Sequence, residues 1–125
     1  MKKLYLVSND KIWLSKKKST SNNDLGTIVS CLVKNYNIKL INRESKKKLN
    51  FVIKDKFDFC NLNNIKDKNI NLLMVSISPY NFFVLLRLIF LSNISVKGCV
   101  YLRSDGFLEY KYRYGIFGYY IYYLM

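Results

Sequence analysis

Apolar residues along this chain come in two rhythms, short continuous runs and one three-and-four repeat. Lys3 to Ser8 (KLYLVS) is the first run and predicts a buried strand. A long polar stretch, Asn9 to Asn23, follows and reads as a loop carrying Lys11, Lys16, Lys17, Lys18 and Trp13. Asn22 or Asn23 can cap a helix, with Asp24 in its first turn. Leu25, Ile28, Val29, Leu32, Val33 and Tyr36 then recur at intervals of three and four, the stripe of a helix packed on a sheet. Ile38 to Ile41 (IKLI) supplies the second strand, so the opening third of the chain reads as a βαβ unit.

Beyond the charged loop Arg43 to Asn50 the rhythm weakens. Phe51 to Ile53 and Phe57 to Leu62 are both strand-prone, and the second is taken as a short third strand. Ile70 to Ile77 (INLLMVSI) is apolar almost throughout and predicts a central fourth strand. Ser78 and Pro79 open a helix running from Tyr80 to about Leu91. After a turn at Asn93 to Val96, Lys97 to Leu102 forms a fifth strand, expected to be buried on both faces. Tyr112 to Met125 (YRYGIFGYYIYYLM) reads as the opening turns of a further helix without a stop signal. The chain is therefore expected to be one domain, an N-terminal fragment of a longer two-domain protein. The fold expected is α/β and Rossmann-like: a mostly parallel sheet of about five strands with flanking helices.

Composition narrows the chemistry. Of 125 residues, 21 are Lys or Arg and 8 are Asp or Glu, a formal charge of +13 that favours anionic partners or reflects lysine on solvated faces. No histidine is present, which removes Ser-His-Asp and Cys-His nucleophile systems and His-containing zinc sites from this chain. Cys31, Cys60 and Cys99 each fall in an apolar segment and are expected to be small buried hydrophobes in a reducing compartment. No signal peptide is apparent at the start, and the longest apolar run, Phe82 to Leu91, is well short of the roughly 20 residues a spanning helix needs. A cytoplasmic location is expected, and no metal or cofactor is called for.

In a parallel sheet, the loops that follow strands gather at one edge, where ligands bind. That edge would hold Asn9, Asp10, Lys16 and Lys17 after the first strand and Ser78 after the fourth. Arg103, Ser104, Asp105 and Glu109 would join them after the fifth. Asp105, beside Arg103, is the best acid/base or hydroxyl-binding candidate, and the others are candidate substrate-binding residues. No GxGxxG and no GxxxxGK[ST] follows the first strand, so pyrophosphate binding of the dinucleotide or ATP type loses support.

Three segments resemble the N-terminal, acceptor-side domain of bacterial GT-B glycosyltransferases: Lys3 to Ser8, Asp24 to Ile41, and Ile70 through the helix Pro79 to Leu91 to Gly98–Gly106. Where many relatives carry a glycine pair and a His-Asp pair, this chain has Asn9-Asp10 and Ser104-Asp105, so Asp105 alone is carried over. The resemblance implies transfer of a sugar from a nucleotide-sugar donor, bound mainly by a further C-terminal domain, to a hydroxyl acceptor that is lipid-linked or a saccharide. It implies work in cell-envelope biosynthesis, peripheral contact with the inner membrane face, no nucleic acid, and no activity for this piece alone. The residues themselves leave open a stand-alone module for a phosphorylated ligand, or a basic nucleic-acid-binding protein.

Overall fold

The computed structural model describes residues 1–15, 19–54, 56–91, 93–102 and 106–125. Its hub is strand β1, Lys2–Leu14, which bonds to three others. On one side β1 runs parallel to β3, Tyr36–Glu44, from the Lys2–Tyr36 pair to the Val7–Ile41 pair. On the other it runs parallel to β6, Asn69–Val75, with Tyr5 opposite Leu72 and Ser8 opposite Val75. β5, Asp58–Phe59, extends the sheet beyond β3, and β7, Ser95–Tyr101, extends it beyond β6, both in parallel. The far end of β1 turns antiparallel to β2, Ser19–Ser21, which in turn pairs antiparallel with β4, Phe51–Ile53.

The alternation of side chains along β1 divides the core in two. Tyr5 and Val7 face one way, into a cluster with Ile41, Ile70, Leu72, Met74, Val84 and Leu88. Leu6 and Ile12 face the other, with Leu25, Val29, Ile38, Leu40, Ile53 and Val75. Helix α1, Asn23–Leu32, closes the second cluster. Its cap is Asn22, whose side chain accepts from the Leu25 amide at 3.0 Å, and Asp24 sits favourably in its first turn. Helix α2, Pro79–Leu86, covers the first cluster with Val84 and continues into a π-helical turn, Arg87–Leu91, whose Leu88 is fully buried. Helix α3, Gly106–Leu124, is broken at Gly115, which has φ 65°. The two halves fold back on each other, with Phe107 against Tyr119 and Tyr122 and Tyr110 against Tyr122.

Several expectations are corrected. The sheet is mixed, with seven strands and three α-helices among the described residues, and it is not the mostly parallel Rossmann-like sheet of about five strands. The difference arises in the supposed loop Asn9 to Asn23. Ile12, Trp13 and Leu14 continue β1 through it, Ile12 being wholly buried, and make the antiparallel ribbon with β2 and β4 possible. The third strand shrinks to Asp58–Phe59, and Leu62–Asn64 is a 3₁₀ turn. The fifth strand is not buried on both faces: Val96 alone is half-buried, packed against the first core cluster, and Val100, Tyr101 and Leu102 are exposed. Cys31 and Cys99 are exposed and Cys60 is half-buried, because the faces carrying the first two lie outside both core clusters. Burial pushes the Cys60 thiol above its ordinary pKa.

Candidate functional site

A cleft of about 750 Å³ lies at the carboxyl edge of the parallel strands, within the range of small-molecule sites. Its floor begins with an irregularity in β1. Register with β3 is regular to the Val7–Ile41 pair and resumes at Lys11–Arg43, so β1 carries more residues than its partner between these points. The displaced backbone groups are met by Asn42, 7% exposed, whose Oδ1 accepts from the Ser8 amide at 3.3 Å and whose Nδ2 donates to the Asp10 carbonyl at 2.6 Å. This bulge turns Asn9 and Asp10 into the cleft. Asp10 is steadied by the Ser8 hydroxyl, which donates to its carboxylate at 2.7 Å and accepts from its amide at 3.1 Å.

Arg43 crosses the floor. Its Nη2 donates to the Asn9 carbonyl at 2.8 Å and to Asn9 Oδ1 at 2.6 Å, and its guanidinium lies 4.9 Å from the centre of the Tyr80 ring. Burial holds the Tyr80 phenol above its ordinary pKa, with the Arg43 charge acting against that rise.

The turn from β6 to α2 forms the next wall. Ser76 has φ 67°, a conformation that costs a non-glycine residue about 1–3 kcal/mol and persists only where the surroundings hold it. Asn81, fully buried, donates from Nδ2 to the Val75 and Ser76 carbonyls at 2.8 Å each, and the Ser76 amide donates to the Tyr101 carbonyl at 2.8 Å. Ser78 caps α2, accepting from the Asn81 amide at 3.1 Å, and Pro79 fills the first helical position. The last wall is α3, which contributes Glu109, Tyr110 and Arg113 from its first half and Ile121 and Tyr122 from its second. Arg113 is paired with Glu109 at 2.9 Å, and burial raises the pKa of the Tyr110 phenol.

The charge balance of this cleft differs from that of the chain. Asp10, Asp24 and Glu109 line it together with Arg43 and Arg113, and among the described residues no lysine does. Lys11, Lys46, Lys47 and Lys48 are exposed at the same edge but outside the lining.

Of the residues singled out from sequence, the cleft brings together Asn9, Asp10, Ser78 and Glu109. Lys16, Lys17, Arg103, Ser104 and Asp105 lie outside the described residues. The residues that sequence reasoning did not single out are Asp24, visible there only as a helix-start residue, and Ser76, Tyr80 and Tyr110. Asn42 and Asn81 act behind the lining, and no local pattern distinguishes them from surface asparagines. Among the described residues no group of three or more metal-ligating side chains forms, and no helix is long and apolar enough to cross a membrane. No family model, no curated protein and no solved structure matches the chain.

Proposed function

We propose that this chain binds the hydroxyl acceptor of a glycosyltransferase that takes its sugar from a nucleotide-sugar donor. The observation that carries this reading is the lining of the cleft, three carboxylates and two arginines with aromatic rings and no lysine among the described residues. Carboxylates accept hydrogen bonds from the donor hydroxyls of a saccharide, charge-assisted and directional, and repel phosphate oxygens. The rings of Tyr80 and Tyr110 offer apolar faces to a pyranose, and the cleft volume suits one or two sugar units. Arg43 is already engaged by Asn9 and Tyr80, and Arg113 by Glu109, which suits them to orient hydroxyls rather than to neutralise a phosphate. Lys11, Lys46, Lys47 and Lys48, which would favour a phosphorylated ligand or a nucleic acid, stand outside this lining among the described residues.

The test is a titration of the isotope-labelled chain, followed by amide NMR, with methyl glycosides of glucose and N-acetylglucosamine, and separately with inorganic phosphate and uridine diphosphate. The expected result is saturable glycoside binding, with a Kd on the order of millimolar, and shifts at Asn9, Asp10, Ser76, Ser78 and Glu109. Asp10→Asn and Glu109→Gln should each weaken binding about tenfold, the lower end of the value of one hydrogen bond to a charged group. Saturable phosphate or uridine diphosphate binding in the cleft, with no response to any glycoside, overturns the reading.

A further inference from the structure

We infer that Asn81 is a positioning residue for the cleft and acts through Ser76, holding the turn between β6 and α2 so that the Ser76 side chain meets the acceptor. This role rests on the reading of the cleft as an acceptor site. Both backbone polar groups of Ser76 are engaged with protein: its amide donates to the Tyr101 carbonyl and its carbonyl accepts from Asn81 Nδ2, each at 2.8 Å. Yet Ser76 is half-buried and lines the cleft. What this position offers a sugar is therefore its side chain, whose hydroxyl can both donate and accept.

That presentation depends on a torsion serine does not favour. At φ 67° Ser76 sits in the left-handed region, where a Cβ is strained and glycine is not. Asn81 bonds the carbonyls on either side of this torsion, those of Val75 and Ser76. Its place is set by the helix entry: Ser78 caps α2 by accepting from the Asn81 amide at 3.1 Å, which seats Asn81 in the first turn, beside the segment it holds.

Stability alone does not account for an asparagine here. Asn81 is fully buried, and among the described residues its Oδ1 has no hydrogen-bond partner. A buried acceptor left unmet is destabilising, and an apolar side chain at this position would not carry one. Asn42 makes the contrast: it too is buried behind the cleft, but both ends of its amide are used. At Asn81 only the donor end is used, on the two carbonyls that frame Ser76. What the asparagine secures is the conformation of that turn.

The experiment measures the Kd of the same methyl glycosides, by amide NMR, for the wild-type chain, Asn81→Ala, Ser76→Gly and the double variant. Ser76→Gly keeps the turn and removes the hydroxyl, and should weaken binding about fivefold. Asn81→Ala should weaken it about tenfold, because the serine is no longer held. In the Ser76→Gly background the same change should cost less than about twofold, since glycine takes the left-handed region without strain. An equal loss in both backgrounds marks Asn81 as merely structural and overturns the inference, as does an unchanged Kd in Ser76→Gly. Without glycoside, Asn81→Ala should also lose the strong intraresidue amide-to-Hα NOE that a positive φ gives Ser76. Its persistence overturns the inference whatever the cleft binds. Loss of that NOE, with a wild-type chain that binds no glycoside, overturns the acceptor reading and leaves the hold of Asn81 on Ser76 standing. Where Asn81→Ala does not fold, recovery of folding in the double variant supports the inference, and failure of both overturns it.

Discussion

β6 and β7 are neighbours, run parallel over seven paired positions and are similarly apolar, yet their environments are opposite. Ile70, Leu72, Met74 and Val75 of β6 are buried, whereas β7 has one half-buried residue, Val96, and the rest exposed. α2 and its π-helical extension cover β6, and β1 flanks it. β7 has a partner on one side and only solvent on its outer edge among the described residues. An apolar run therefore reports that a strand forms, while its stability comes from what lies above and beside it.

Truncating one apolar side chain on each strand should show the contrast, with the larger effect on β6. Leu72→Ala on β6 should cost about 2–5 kcal/mol in urea unfolding, through lost burial and the cavity left behind. A loss under about 1 kcal/mol would mean that the first core cluster is not packed as described.

A smaller effect concerns the amino edge, where β1 is tied to the segment leading into β6. Asp67 accepts from the Tyr5 hydroxyl at 2.7 Å and lies 3.2 Å from Lys3 Nζ. The Tyr5 hydrogen bond, then Lys3, holds the Asp67 carboxyl below its ordinary pKa, and burial, then Asp67, pushes the Tyr5 phenol up. The Asp67 contribution is thus complete above about pH 4 and lost as pH falls through its lower folded value. The Tyr5 contribution is complete below about pH 10 and lost as pH rises through its higher folded value. Thermal unfolding against pH should show Asp67→Asn flattening the acid limb and Tyr5→Phe the alkaline limb. Unchanged limbs would remove this tie from the account. β7 is tied instead by backbone bonds at its two ends, from the Ser95 amide to the Lys68 carbonyl and from the Ser76 amide to the Tyr101 carbonyl, each 2.8 Å.

The smallest effect should be on β7 itself. Val100→Ala should change stability by no more than about 0.5 kcal/mol, as for other exposed positions. A cost approaching that of Leu72→Ala would show that β7 is covered in solution, and would sharpen the contrast into a question of what covers it.

The same comparison explains what could be read from the chain. β1 as far as Ser8, α1, β6 and the start of α2 were legible because local signals agree: apolar runs, an asparagine cap, and Ser78-Pro79 at a helix entry. Ile12 to Leu14 was not, since three apolar residues between Lys11 and a Ser/Lys tract look like loop until β2 and β4 fold against them. The burial of β7 was misread because continuous hydrophobicity is shared by covered and uncovered strands. In the cleft, Asp10 and Ser78 were visible by their place after a strand. Asp24 joins them only through the tertiary path of α1, and Asn42 and Asn81 serve backbone groups that no sequence reveals as unpaired.

The break at Gly115 sets the reach of the aromatic segment. Unbroken, nineteen helical residues would form a rod of about 28 Å pointing away from the sheet. With one residue in the left-handed region, the segment doubles back, and Gly118 passes so close to the Tyr110 carbonyl that no side chain fits there. Ile121 and Tyr122 are thereby returned to the cleft they would otherwise leave about 10 Å behind. How much of α3 lines the cleft is thus decided by the torsion of one residue that does not line it.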